Sequence, residues 1–410
     1  MDHALGFDPA LPELPLLFDL DAVARLFEQR WPGRGGTGAA PVKVRRCRLQ
    51  DVKYRPSRGC VTVYELLVEQ SGAHPTPTIG VIELSPDGPA LRLYDEDPQL
   101  PWLAEARDPI AMGQRFGALL GADLSCAVTP VRYKPGARCV FRYELETPAG
   151  PQVCFGKLLA SGGEQLAATI AALHQTSEGQ PLMPRIPRAL AYWPELRMLV
   201  QPGVNGSELN ARAFDNAEEP ATRERWLHEA GACLAALHTY ASIDAERRSL
   251  ADDLQELREY LAPMGMANPA LAARYEQALA VVAAGVGHED APQVVTHGAF
   301  RTDQLMIQGA DLVLIDLDTF CLANPARDVG NFMAYLHWKA IRRPEQQAMI
   351  EQAGRGFLAG YRAARPELDD RQLACYQAAS LLKIAGRRFR SLTVKEWPLV
   401  PRLLDAALGA

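Results

Sequence analysis

The stretch VVTHGAFRTDQLMIQGADLVLIDLDTFCLANPARDVGNFMAYL, Val294 to Leu336, decides how this chain is read. Its order is strand, loop, short strand, glycine turn, strand, acidic loop, helix. The apolar runs that end at Thr296 and Ile315 are short, rich in β-branched residues and bounded by turn residues, as buried strands are. His297 and Gly298 open the first loop, Gln304 follows seven residues after His297, and Val313 to Ile315 runs into Asp316, with Asp318 two residues on. A carboxylate leaving a buried strand is well placed to hold Mg²⁺, which takes oxygen ligands and keeps positions for substrate phosphates. By itself the I-D-L-D string also describes solvated turn residues.

Working outward from this stretch, ERWLHEAGACLAALHTY (224–240) repeats apolar residues at helical spacing, and RALAYWPELRMLVQPG (188–203) reads as two short strands around Pro194. SGGEQLAATIAALHQ (161–175) reads as a helix opened by a Ser-x-x-Glu capping box, Ser161 and Glu164. Further helices are expected at Leu250 to Ala262, at Ala270 to Ala284 and from Pro344 to the C-terminus. Upstream the chain resembles itself: VKYRPSRGCVTVYEL (52–66) aligns with VRYKPGARCVFRYEL (131–145) at eight of fifteen positions. A central proline between runs of Val, Tyr and Cys is the chemistry of strand, turn, strand, so both copies are expected to be β-hairpins. Each is followed by a third extended run, TIGVIEL (78–84) and VCFGKLLA (153–160); only the second carries a lysine after its glycine, Lys157, where the first has Val81. A β-rich half joined near Gln201 to Gly206 to an α-rich half predicts an α+β chain of two lobes with a cleft between them.

The composition sets the outer limits. With 410 residues, 48% hydrophobic and 22% charged, the chain is long enough for two or three ordinary domains. Lys+Arg 43 against Asp+Glu 49 gives a formal charge of -6, which provides no footprint for nucleic acid. No apolar run approaches the roughly 18 residues of a membrane span, and the N-terminus lacks a secretory signal, so no membrane partner and a cytoplasmic location are expected. The eight cysteines are scattered with no C-x-x-C pair, which argues for reduced thiols over zinc or disulfides.

In this order the pieces resemble the aminoglycoside phosphotransferase and choline kinase branch of the protein-kinase-like fold. ACLAALH, ending at His238, is similar to the helix before that family's catalytic loop; HGAFRTDQ (297–304) is similar to its H-G-D-x-x-x-x-N loop; VLIDLDTFCLANPARDVGNF (313–332) is similar to its metal-binding segment and the helix after it. The resemblance implies a β-rich N-lobe over 101–202, a helical C-lobe over 203–410 and an N-terminal β-rich extension over 1–100 containing the degenerate repeat. It implies ATP or GTP with Mg²⁺ as cofactors and phosphoryl transfer to a hydroxyl of a small metabolite. On that resemblance Asp316 would be the metal-binding Asp, joined by Gln304 and Asp318; Asp328 would brace the loop; and Lys157 would contact nucleotide phosphates, with Glu164 as its candidate ion-pair partner. Gly136 and Arg138 sit in the hairpin turn over the phosphates, and Gln201 lies in the hinge.

Two positions depart from that pattern. The family's catalytic Asp falls on Ala299 and its second metal-binding Asn on Gln304. Ala cannot do acid–base chemistry. His297 and Gln304 remain as loop functional groups, and Asp303 is the candidate substitute base, although it also suits a polar turn before a strand. The rival expectation is a pseudokinase, a nucleotide-binding or scaffolding module. LLKIAGRRFRSL (381–392) places Lys383, Arg387, Arg388 and Arg390 close together on a helix, as a solvated basic face or as a site for an anionic acceptor.

Overall fold

In a computed structural model, residues 6–29, 31, 42–70, 74–288 and 292–409 are described. Both repeated segments are antiparallel hairpins of one register, Tyr54 opposite Cys60 in the first and Tyr133 opposite Cys139 in the second. The chain divides into two compact units, one of Met1–Ala167, Ala189–Gly203 and Arg390–Leu392 and one of Ala168–Arg188, Val204–Phe389 and Thr393–Ala410.

The first unit begins with helix α1 (Leu20–Gln29), which packs on strand β1 (Val42–Arg55) of a sheet completed in order by β2 (Gly59–Gln70), β3 (Thr76–Ser85) and β4 (Gly88–Leu93). Helices α2 (Leu103–Ala106) and α3 (Pro109–Leu120) follow, and α3 packs on β5 (Ser125–Lys134). The second sheet continues through β6 (Arg138–Thr147) and β7 (Gly150–Leu159); after α4 (Gly163–Gly179), β8 (Ala191–Trp193) and β9 (Met198–Pro202) close it in the order β5-β6-β7-β9-β8.

The duplication is wider than the hairpins. DPALPEL (8–14) precedes the first copy and DPQLPWL (97–103) the second. In the first, the Asp8 carboxylate accepts from Ala10 N at 3.1 Å, the Tyr54 hydroxyl at 2.6 Å and Ser57 N at 2.8 Å. In the second, Asp97 accepts from Gln99 N at 3.0 Å, the Tyr133 hydroxyl at 2.5 Å and Gly136 N at 2.7 Å. Ser57 and Gly136 hold the same left-handed turn position, at φ 56° and 68°. Both copies are thus one module, helix on hairpin plus third strand, with its turn clamped by an aspartate. They share a core in which Val63, Ile79 and Val81 meet Tyr133, Phe141 and Tyr143. Val81, the counterpart of Lys157, is fully buried there, where an ammonium would have to leave water unpaired. The extension expected over 1–100 therefore belongs to the same unit as the second copy.

The second unit contains β10 (Ser207–Glu208), α5 (Leu209–Ala213), α6 (Pro220–Tyr240), α7 (Leu250–Arg258), α8 (Leu261–Ala267) and α9 (Pro269–Gly285). The stretch quoted first supplies β11 (Val294–Thr296), β12 (Leu305–Gln308), β13 (Asp311–Leu314), β14 (Cys321–Ala323) and α10 (Ala326–Arg342); α11 (Gln347–Ala364), α12 (Asp370–Arg390) and α13 (Val400–Leu408) complete it. Strand β12 pairs with β10 and β13, and β11 pairs with β14.

Two local expectations change. Helix α4 starts at Gly163, with Leu166 N donating to the Gly162 carbonyl, so Glu164 takes the second helical position, one short of its place in a capping box. Gly162, at φ 74°, lets the chain turn later than Ser161 would. The helix read over Leu250 to Ala262 is two, α7 and α8, because Pro263 favours a fresh first turn.

Candidate active site

The loop between β11 and β12, residues 297–304, hangs from one buried carboxylate. Asp328, in the first turn of α10 and 0% exposed, accepts from His297 N at 2.6 Å and Gly298 N at 2.8 Å. His238, at the end of α6, places Nε2 3.3 Å from the same carboxylate and its Nδ1 2.8 Å from the Tyr361 hydroxyl. Burial would raise Asp328, yet His238 and His297 beside it hold it below the usual carboxylate range. Burial lowers His238, and the Asp328 carboxylate only partly offsets this. Neutral His238 then donates through Nε2 to Asp328 and accepts through Nδ1 from Tyr361, which satisfies all three groups.

His297 is also fully buried and lowered by burial. Its Nε2 lies 3.1 Å from the Ile315 carbonyl, so it ties the loop to the end of β13 where Asp316 emerges. Thr319 Oγ1 donates to the His297 carbonyl at 2.7 Å. Gly298 has φ 77°, and a Cβ there would drive into the Thr319 carbonyl, so this position requires glycine. Asn331, on α10, donates to the Phe300 carbonyl at 2.9 Å. Asp316 takes left-handed angles (φ 59°, ψ 57°), a conformation that aspartate tolerates better than most residues, and is exposed. Asp318 lies half-buried in the next turn.

Arg301 was not singled out by sequence, and it organises the far side of the loop. Its guanidinium stacks 4.9 Å from the centre of the Tyr335 ring and binds Asp303 through Nε at 2.6 Å. With its amide oxygen turned toward the guanidinium, Gln304 accepts from Arg301 Nε at 3.2 Å and Nη2 at 2.7 Å. Both the candidate base and the candidate metal-binding amide are thus engaged by one cation. Thr302 Oγ1 and Lys339 Nζ donate to Asn210 Oδ1 at 2.9 and 2.7 Å. Burial, then Arg343, pushes the Lys339 ammonium down to about 8, Asp303 acting the other way.

The donor set suits Mg²⁺ chemically: Asp316 and Asp318 are hard carboxylates, and such sites use one or two carboxylates plus substrate phosphates. Among the described residues no group of three or more His, Cys, Asp or Glu side chains is assembled to hold a metal. Gln304 joins such a set only by leaving Arg301.

Lys157, Glu164, Gly136, Arg138 and Gln201 all lie in the first unit. Lys157 pairs with Val140 on one side and Leu199 on the other, while Arg138 opposes Leu159 and Phe155 opposes Gln201. With side chains alternating along each strand, Arg138, Lys157 and Gln201 share one face. The opposite face, with Cys139, Phe141, Leu158, Met198 and Val200, is the core. The Gly136 N–H, expected over the phosphates, is given instead to Asp97. Glu164 is exposed in the first turn of α4.

Comparison with known proteins bears on the family and the fold. The sequence profile of the phosphotransferase enzyme family matches residues 159–366, which include Asp316 and Asp328. Among solved structures, a protein of Ralstonia eutropha JMP134 provisionally assigned as an aminoglycoside phosphotransferase superposes with TM-score 0.53 at 16% identity, covering 73% of this chain and 96% of that one. Spectinomycin phosphotransferase APH(9)-Ia, solved with ADP and spectinomycin, gives TM-score 0.50 at 14% identity, covering 72% and 97%. A thermostable mutant of APH(4)-Ia with AMP-PNP and hygromycin B gives 0.50 at 14%, covering 73% and 98%. No curated protein sequence matches the chain. The fold is the two-lobed, protein-kinase-like α+β architecture, and with half of its length in the family profile the chain belongs to the phosphotransferase enzyme family.

Proposed function

We propose that this protein transfers the γ-phosphoryl group of ATP, or of GTP, to a hydroxyl of a small molecule, with Mg²⁺ held by Asp316 and, from the following turn, Asp318. The observation that carries this reading is the brace on Asp328. A carboxylate kept ionised at zero exposure is costly, and here it serves to fix two backbone amides of the loop that precedes Asp316. When bound, Mg²⁺ would neutralise phosphate charge. Lys157 and Arg138, sharing one sheet face, supply further positive charge for the nucleotide phosphates, and the backbone at Gln201 suits an adenine edge. On the loop, Arg301 presents a fixed cation beside Gln304. Catalysis of phosphoryl transfer comes mainly from such positioning and charge stabilisation.

Asp303 is the candidate proton acceptor in the loop, where the Arg301 guanidinium positions its carboxylate. A second reading has a specific observation behind it: Ala299 stands where a catalytic carboxylate is expected, which favours a nucleotide-binding pseudokinase or scaffold. One experiment separates them. ADP formation from Mg·ATP is followed across a panel of hydroxylated metabolites, alongside calorimetric titration of Mg·AMP-PNP. Acceptor-dependent ADP release supports the transferase; tight nucleotide binding with no acceptor-dependent release supports the pseudokinase; no binding of nucleotide refutes the transferase and leaves only a scaffold.

A further inference from the structure

A crevice next to the loop opens beside Gly298 and Asn331 and is bounded by α7 and α12. Two carboxylates line it, Asp253 and Glu256, together with Arg327, Lys383 and Tyr260. Both carboxylates are already committed. Asp253 accepts a bidentate pair from Arg327, Nε at 2.9 Å and Nη2 at 2.8 Å, and a further contact from Arg248 at 3.3 Å. Glu256 is held by Arg248 at 2.5 Å and by Lys383 Nζ at 3.4 Å. On the loop itself Asp303 is held by Arg301. At this crevice an acceptor carrying several ammonium groups would meet carboxylates that are already paired with cations, one of the pairs nearly buried.

The cations offer the opposite opportunity. Arg387, exposed on α12, donates to the Tyr335 hydroxyl at 3.4 Å. Arg301 stacks on the face of the same Tyr335 ring. Two guanidiniums, one from the loop and one from α12, therefore flank one tyrosine. Planar guanidinium forks held by aromatic stacking suit carboxylate and phosphate oxygens.

Building on the phosphotransferase reading, we infer that the acceptor is a hydroxylated small molecule bearing an anionic group, carboxylate or phosphate, which Arg387 and Arg301 hold on either side of Tyr335 while the hydroxyl is presented toward the Gly298 end of the loop. Polycationic aminoglycosides match this arrangement less well.

The test is direct binding, by calorimetry or ligand-observed NMR, with and without Mg·AMP-PNP. The probes are D-glycerate, glycerol 3-phosphate, glycerol, choline and kanamycin. The two anions are expected to bind, with glycerate and glycerol 3-phosphate separating carboxylate from phosphate, and glycerol, choline and kanamycin to bind at least tenfold more weakly. Arg387→Glu should weaken the preferred anion at least tenfold, and Arg387→Lys less, while affinity for Mg·AMP-PNP is unchanged. Preferential binding of choline or kanamycin, equal anion affinity in Arg387→Glu, or no binding of either anion overturns the inference. Anion binding is read without nucleotide as well, so loss of nucleotide binding alone strikes the phosphotransferase reading and leaves the anion site standing.

Discussion

Replacing Asp328 by alanine removes the acceptor for two buried amides, His297 N and Gly298 N, and for the Nε2–H of His238. Each buried donor left unsatisfied costs about 1–3 kcal/mol, and breaking one partner of a buried polar pair typically costs about 3–5 kcal/mol. The carboxylate is fully buried, so water cannot replace it without opening the loop. We therefore expect Asp328→Ala to destabilise the second unit by about 4 kcal/mol, a lowering of its melting temperature by about 10 °C at ~2–4 °C per kcal/mol for a unit of this size. Asp328→Asn keeps the shape and one oxygen but points an NH2 group at an amide donor; about half the loss is expected. Urea unfolding of the three proteins gives the energies, and Mg·AMP-PNP titration under folding conditions gives the functional cost. A change below about 0.5 kcal/mol in Asp328→Ala would show that the loop is held by something other than this brace.

Restoring the missing carboxylate with Ala299→Asp should raise phosphoryl transfer by about a hundredfold to ten-thousandfold, the usual worth of a general base; a fast wild type left unchanged would show another base at work. His238 is neutral when folded and lowered below its unfolded value near 6.5, so the unfolded state takes up its proton first as pH falls. Stability should accordingly fall between about pH 7 and pH 5, by up to about 1.4 kcal/mol per pH unit for this residue, and His238→Gln should flatten that slope in urea titrations at several pH values. In the first unit, Asp97→Ala frees the Gly136 amide and the Tyr133 hydroxyl. It should cost about 2 kcal/mol through unsatisfied buried groups and speed hydrogen exchange at Gly136, whereas a protected Gly136 would contradict the clamp.

What the sequence disclosed was whatever is local. The paired hairpins follow from a proline turn between β-branched runs, and the strand before Asp316 from its apolar neighbours, so both are where the residues put them. The place of Asp328 came only from the order of motifs, and its two amide contacts span about thirty residues. Nothing in HGAFRTDQ announces that Arg301 will take Gln304 and Asp303, because its direction is set by Tyr335, which lies in another helix. Likewise the Asp253–Arg327 pair joins residues 74 positions apart. The full width of the duplication is faint in the sequence because its second signal, the D-P-x-L-P string, is five residues long and stands well apart from the hairpin that it clamps. No capping box forms at Ser161 because Gly162, in a left-handed turn, moves the helix start to Gly163.

The loop and strand end around Asp316 are proposed as an Mg-nucleotide site. Calorimetric titration of AMP-PNP into the wild type and Asp316→Ala, each with Mg²⁺ and with a chelator, tests it most directly. Mg-dependent binding is expected in the wild type, and its loss in Asp316→Ala with the fold intact by circular dichroism. Nucleotide binding that is indifferent to both Mg²⁺ and Asp316 would contradict it.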